Sequence, residues 1–236
     1  MKWIYVIGGG VGIAIALIAW LVFPRMPSVV EQHKTLVLRK RYWLYYALQF
    51  MSGARRQIFV VFAGFLMVVK FDFDPAAMAL MFLVNGVLTM ITAPYVGKLI
   101  GHWGERKALT FEYVGLILVF LGYAFVETAW IGVALYVLDH LFFSVAIAMK
   151  TYFQKIADPR DIASTSGVVF TISHIAAIVL PAAYGFLWII SPSAVFVSGA
   201  ALAGVSLILA RLVPLVPTPD NVALIGPGRA VAEPAE

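Results

Sequence analysis

Two adjacent arginines, Arg55 and Arg56, stand in the middle of an apolar stretch running from about residue 43 to residue 69. Fourteen positions separate Arg41 from Arg55, and fourteen separate Arg56 from Lys70. At about 1.5 Å of rise per helical residue, the pair lies roughly 21 Å from either charged marker. In a bilayer that is near the midplane, too deep for the side chains to reach water easily by extending. Charges at such depth are costly and mark substrate or ion pathways. Neighbouring helical residues point about 100° apart, so the two arginines cannot face one point. One is expected to line a cavity while the other pairs with a neighbouring helix or its backbone.

Asp139 is the natural counter-charge, twelve positions after Glu127 and eleven before Lys150. An Arg–Asp pair would offset much of each group's desolvation cost. As a functional device, protonation of Asp139 would free an arginine for an anion; as a structural one, the pair is a static bridge between helices. His140 and His174 are also deep. Histidine titrates near neutrality, so either suits a proton relay, and either equally suits a packing hydrogen bond to a neighbouring helix. Two histidines and a carboxylate on separate helices lack metal-ligand spacing, so no metal site is expected. Asn85, Thr89 and Thr92 form one stripe of their helix, which either faces a cavity or bonds across an interface. Glu112 reads as a partner for Arg106 or Lys107 close to the membrane surface. No nucleophile–base–acid set, phosphate loop, cofactor motif or nucleic-acid motif occurs, so neither an enzyme nor a nucleic-acid reader is expected.

The elements that must hold these residues follow from composition. Of 236 residues, 62% are hydrophobic and 12% charged, against about a quarter charged in soluble domains. Apolar stretches at roughly 3–23, 43–69, 76–97, 108–126, 129–149, 163–190 and 193–213 have the length of spanning helices. The expected fold is therefore all-α, a polytopic membrane bundle of seven helices. Residues 3–23 exceed a secretory-signal core and end in Phe23-Pro24-Arg25, so they read as a retained span. Asp74-Pro75 and Asp158-Pro159 supply a capping carboxylate followed by a first-turn proline. Residues 24–42 are expected to form a basic linker and 214–236 a loose tail.

Thirteen of the 17 Lys and Arg fall in one alternate set of loops, among them Arg25, Lys34, Arg39, Lys98, Arg106, Lys150, Arg211 and Arg229. The opposite set holds only Lys2 and Lys70. The positive-inside rule then puts the first set in the cytoplasm, with the N-terminus outside and the C-terminus inside.

Residues 97–109 read Gly-Lys-Leu-Ile-Gly-His-Trp-Gly-Glu-Arg-Lys-Ala-Leu. This resembles the cytoplasmic signature of the major facilitator superfamily, Gly-x-Leu-x-Asp-Arg-x-Gly-Arg-Lys-x-x-Leu. Gly97, Leu99, Gly104, Arg106 and Leu109 match, whereas Gly101, His102 and Glu105 replace the family's Asp, Arg and Arg. The stretch from Ile172 to Trp188, with Ser173-His174, Pro181 and Gly185, also resembles the penultimate helix of bacterial members. The resemblance aligns 1–23 with the family's sixth helix, 24–42 with its central loop and 43–213 with helices seven to twelve. It implies a secondary transporter of a small solute in the bacterial inner membrane, of a kind that protons can drive, and Arg55 and Arg56 would favour an anionic solute. Its partners would be the lipid bilayer, the solute, and either a missing N-terminal half or a second copy. Arg55, Arg56, Asp139, His140 and His174 would be the substrate or coupling residues. Gly97, Gly101, Gly104, Arg106 and Lys107 would form the cytoplasmic gating loop. The alternative is a non-transporting module, a fragment or scaffold that needs a partner half.

Overall fold

Apolar runs of this length bury their backbone polar groups only by coiling into helices, and the chain does so throughout. The computed structural model describes residues 2–23, 30–33 and 35–227. Arg25, Lys34, Arg229, residues 24–29 and the tail from 228 onward lie outside the described residues.

The chain divides into two units, residues 1–31 and 32–236. The first contains α1 (Lys2–Val22), a helix with no charged residue after Lys2. In the second, α2 (Trp43–Gln57), a six-residue π-helical segment (Ile58–Ala63) and α3 (Gly64–Phe71) follow one another without interruption as one rod. Next come α4 (Pro75–Trp103) and α5 (Glu105–Phe125), then α6 (Ala129–Ser144) and α7 (Ile147–Ile156), divided by a short turn. The last two helices are α8 (Ile162–Ile190) and α9 (Pro192–Arg211). The described residues are all-α and form seven helical rods, α1 in the first unit and six in the second. Six stretches among the described residues are long and apolar enough to cross a membrane. The seventh rod, Trp43 to Phe71, is split by the π segment into two helices that are each too short to qualify alone.

Local chemistry sets the helix starts. The Asp74 carboxylate accepts from Ala77 N at 2.6 Å, with Pro75 in the first turn of α4. Asp158 caps the 3-10 turn Pro159–Asp161 ahead of α8. Ser191-Pro192 begins α9 in the same way, its hydroxyl accepting from Ala194 N. That third signal is readable in the sequence and needs no acid.

Within the second unit α5 and α9 pack along most of their lengths. A Cβ added to Gly199 would lie 3.1 Å from the Phe120 ring, and Tyr123 stacks on Phe196. α2 lies against α8 closely enough that a Cβ on Gly53 would be 3.2 Å from Ser173 Cα. Of the spanning helices in this unit, α4 and α8 are the least buried, and they present Met90, Ile91, Phe170 and Ile178 outward, a composition suited to lipid or to other helices.

Three segments depart from the expectations above. The family-like stretch is not a loop: Gly97 to Trp103 are the last turns of α4, and Glu105 begins α5. Gly104 alone makes the turn, at φ +79°, a conformation that costs other residues strain. A Cβ at Gly97 or Gly101 meets no atom within 4 Å, so among the described residues no helix uses that small-residue stripe. Second, the end of the basic linker is ordered against the α7–α8 turn. Arg39 pairs with Asp161 at 3.0 Å, Tyr42 donates to the same carboxylate, and the Ser164 hydroxyl accepts from Val37 N. The hydrogen bond to Asp161 raises the pKa of Arg39 above its ordinary value. Third, the loose tail is loose only in composition up to residue 227. Val213, Val222 and Ala223 are fully buried, and the Tyr152 hydroxyl donates to Val222 O at 2.6 Å.

Candidate functional site

Arg55 and Arg56 occupy successive positions on α2, just before the backbone widens into its π segment. Such segments insert a residue into the helical turn and frequently accompany functional sites. The two side chains enter different surroundings.

Arg55 is 1% exposed. Its guanidinium sits over the Tyr113 ring, 4.5 Å from the centroid. Its Nη2 lies 3.8 Å from Glu112 Oε1, an ion pair without a hydrogen bond, and its Nε donates to Met51 O at 3.3 Å. Glu112 is 0% exposed. It is therefore not the surface partner of Arg106 or Lys107 that its place in the sequence suggests. α5 begins at Glu105, so Glu112 stands two turns inside the helix on its inward face. Asp139 on α6 is also buried and interacts electrostatically with both Arg55 and Glu112. It makes no ion pair within 4.0 Å of either arginine; the direct contact expected of Asp139 belongs to Glu112. One arginine thus faces two buried carboxylates. Arg55 Nη1, both oxygens of each carboxylate, and the hydroxyls of Tyr123 and Tyr136 have no hydrogen-bond partner among the described residues. A group of unsatisfied polar atoms this dense is high in energy unless water, protons or ions complete it.

Arg56 is exposed and lines an open cavity of about 600 Å³ between α2, the α6–α7 rod and α8. Its guanidinium lies 5.6 Å from the Phe143 ring centroid. Gln49, Ser52, Gln57, Lys150, Ser173 and His174 share the cavity wall, and no carboxylate lines it. His174 is exposed, stacks on Phe170, and has its Nδ1 2.8 Å from Phe170 O. His140 is half-buried, edge-on to Phe59, and within electrostatic range of Arg56, but it does not line the cavity. The structure thus brings Arg56 and His174 to one cavity and sets Arg55 and Asp139 together outside its lining, with His140 near Arg56 but not in the cavity wall. Lys150 and Glu112 were not singled out as site residues by sequence reasoning. Lys150 looked like a loop marker, and Glu112 lay too near the end of its apolar stretch. Of the polar stripe on α4, Asn85 is buried with both amide atoms unpartnered, and Thr92 donates to Leu88 O.

Arg106 and Lys107 lie on the first turn of α5, beside Arg211 and a second cavity. The acid between Gly104 and Arg106 is not available to them. Glu105 is 2% exposed and accepts Lys155 Nζ at 2.6 Å. At the far end of the bundle Lys70 is neutralised by Glu127 at 3.1 Å and donates to Val126 O. Among the described residues no group of acids and histidines has the geometry to hold a metal ion.

The sequence profile described as Major Facilitator Superfamily matches residues 1–181. No curated protein and no solved structure matches the chain. With the match spanning more than half of the residues, and with six helices suited to crossing a membrane, the chain belongs to the major facilitator superfamily of membrane transporters.

Proposed function

We propose that this chain forms part of a secondary transporter for a small anionic solute, with Arg56 as its central binding residue. The observation that carries this reading is the cavity of about 600 Å³ walled by Arg56 and Lys150 with no carboxylate in its lining. Two cations without a local counter-ion favour a carboxylate or phosphate ligand, and arginine offers it paired donors. Gln49, Gln57, Ser52 and Ser173 supply neutral donors and acceptors for the remainder of the solute.

Proton coupling is assigned to the buried group behind Arg56. Glu112 and Asp139 share one arginine, so one carboxylate is left to take up a proton. His140, within electrostatic range of Arg56 and next in sequence to Asp139, would relay the proton between them. The excess of Lys and Arg in one set of loops supports an orientation with the Arg106 end cytoplasmic and the N-terminus outside, and the membrane proposed is a bacterial-type inner membrane. The cavity lies open between α2, the α6–α7 rod and α8, and a second set of helices would close it. An N-terminal half or a second copy would dock on the apolar faces of α4 and α8. Those same faces support a second reading, a scaffold that binds a partner without transporting. An open frame upstream of Met1 encoding five apolar helices favours the first.

The test is uptake in proteoliposomes carrying the complete gene product, screened against small carboxylates and phosphate esters. Uptake of an anion that Arg56→Gln abolishes supports the assignment. Uptake unchanged by Arg56→Gln and Lys150→Gln sinks it. The assignment of proton coupling fails if uptake by Asp139→Asn and by Glu112→Gln responds to an imposed pH gradient in the same way as uptake by the native chain.

A further inference from the structure

We infer that the second cavity, at the Arg106 end, is a binding site for the phosphate of an anionic membrane phospholipid. Its volume is about 520 Å³, and three cations line it: Arg106 and Lys107 from the start of α5, and Arg211 from the end of α9. No carboxylate lines it. Glu105 is turned inward to Lys155, which leaves the three cations uncompensated within the cavity. Like charges brought together in this way repel unless an anion joins them.

The rest of the lining selects among anions. Phe111, Val114 and Leu215 form an apolar wall beside the cations. On α5 the wall continues beyond the cavity: Phe111, Val114 and Leu118 recur at i, i+3 and i+7, and all three are exposed. This stripe runs from the charged end towards the middle of the helix, and its length suits an acyl chain. A free phosphate would use only the cations, whereas a phospholipid uses both parts. The position agrees as well. The cations stand at helix ends on the side proposed above to be cytoplasmic, the leaflet whose anionic lipids attract basic pockets between helices. The inference rests on that orientation, not on the proposed solute.

Trp103 reports on the site, because its ring lies 5.6 Å from Phe111. The full chain in phosphatidylcholine nanodiscs is titrated with phosphatidylglycerol brominated on its acyl chains, with brominated phosphatidylcholine as reference. The quenching lost in Trp103→Phe is the signal from this cavity. Phosphatidylglycerol is expected to quench Trp103 at lower mole fraction than phosphatidylcholine. Each of Arg106→Gln, Lys107→Gln and Arg211→Gln should weaken that preference about fivefold, the equivalent of one charge at a membrane surface. Lys98→Gln removes a cation from the same end but outside the cavity, and should leave the preference unchanged. Equal quenching by the two lipids, or equal loss in Lys98→Gln, overturns the inference. A measurement without any variant guards against misfolding. Short-chain phosphatidylglycerol should displace the brominated lipid from the native chain, and short-chain phosphatidylcholine should not. Displacement by inorganic phosphate alone, at matched ionic strength, assigns the cavity to a free anion and also overturns the inference.

Discussion

The two faces of α2 at Arg55 and Arg56 differ by one residue and carry opposite solutions to the same problem. On one face the charge is removed from solvent and compensated inside the protein by Glu112, Tyr113 and the nearby Asp139. On the other it is left in an open cavity beside Lys150, with no acid in the lining. Burial without the carboxylates would be prohibitive, and exposure with them would quench the cavity's affinity for anions. On the function proposed above, segregating two cations on one helix would let the first organise the bundle while the second stays free for a ligand.

The largest effect that would break this comparison is expected from Arg55→Met. It leaves Glu112 and Asp139 buried without a counter-charge and should cost about 3–5 kcal/mol of stability in a denaturant titration in mixed micelles. Glu112→Leu should cost less, because Asp139 remains for Arg55; equal costs would show that Asp139 does not share the arginine. Arg56→Gln should leave stability within about 0.5 kcal/mol. In exchange it should weaken binding of an anionic solute by roughly 10- to 100-fold, the loss of one charge-assisted hydrogen bond. A stability loss as large as that of Arg55→Met would erase the distinction between the faces. Gly53→Ala tests the seam between them. Its new Cβ would press on the Ser173 backbone at 3.2 Å, so α8 must shift, at about 1–3 kcal/mol by the same titration. The smallest change is expected from His174→Gln: the ring is exposed, and stability should move by less than about 0.5 kcal/mol. A pH dependence of uptake that survives this substitution would assign proton handling to the buried side alone.

Seven rods were legible because hydropathy records how long a segment stays in lipid. Counting along a helix gives height, so the distances of Arg55, Arg56 and Asp139 from the charged residues that flank their helices were legible too. Height is not azimuth. Nothing in the spacing distinguished Glu112 from Asp139 as the contact of Arg55, because that depends on how α5 and α6 rotate against α2. The apolar stretch beginning at 108 also put Glu112 near the surface, whereas α5 begins at Glu105 and carries it inward. The π segment left no mark, as Ile58–Ala63 has the composition of any spanning turn. The signature stretch was readable as a motif and misleading as a loop. Neither Pro94 nor Gly97 nor Gly101 ends the helix, and α4 continues through the stretch until Gly104 turns the chain.

The folded-back residues after α9 have a practical bearing on how the molecule is handled. Val222 and Ala223 sit in the core, and the Gly226 backbone lies against Trp43 at the start of α2. The Arg41 guanidinium donates to Pro219 O. An expression version trimmed at the end of the last spanning helix would uncover Tyr152 and Trp43 and leave Arg41 without its carbonyl partner. A reporter or affinity label joined after Gly226 keeps this plug in place, so fluorescence-detected chromatography of the two versions should separate a monodisperse sample from an aggregating one.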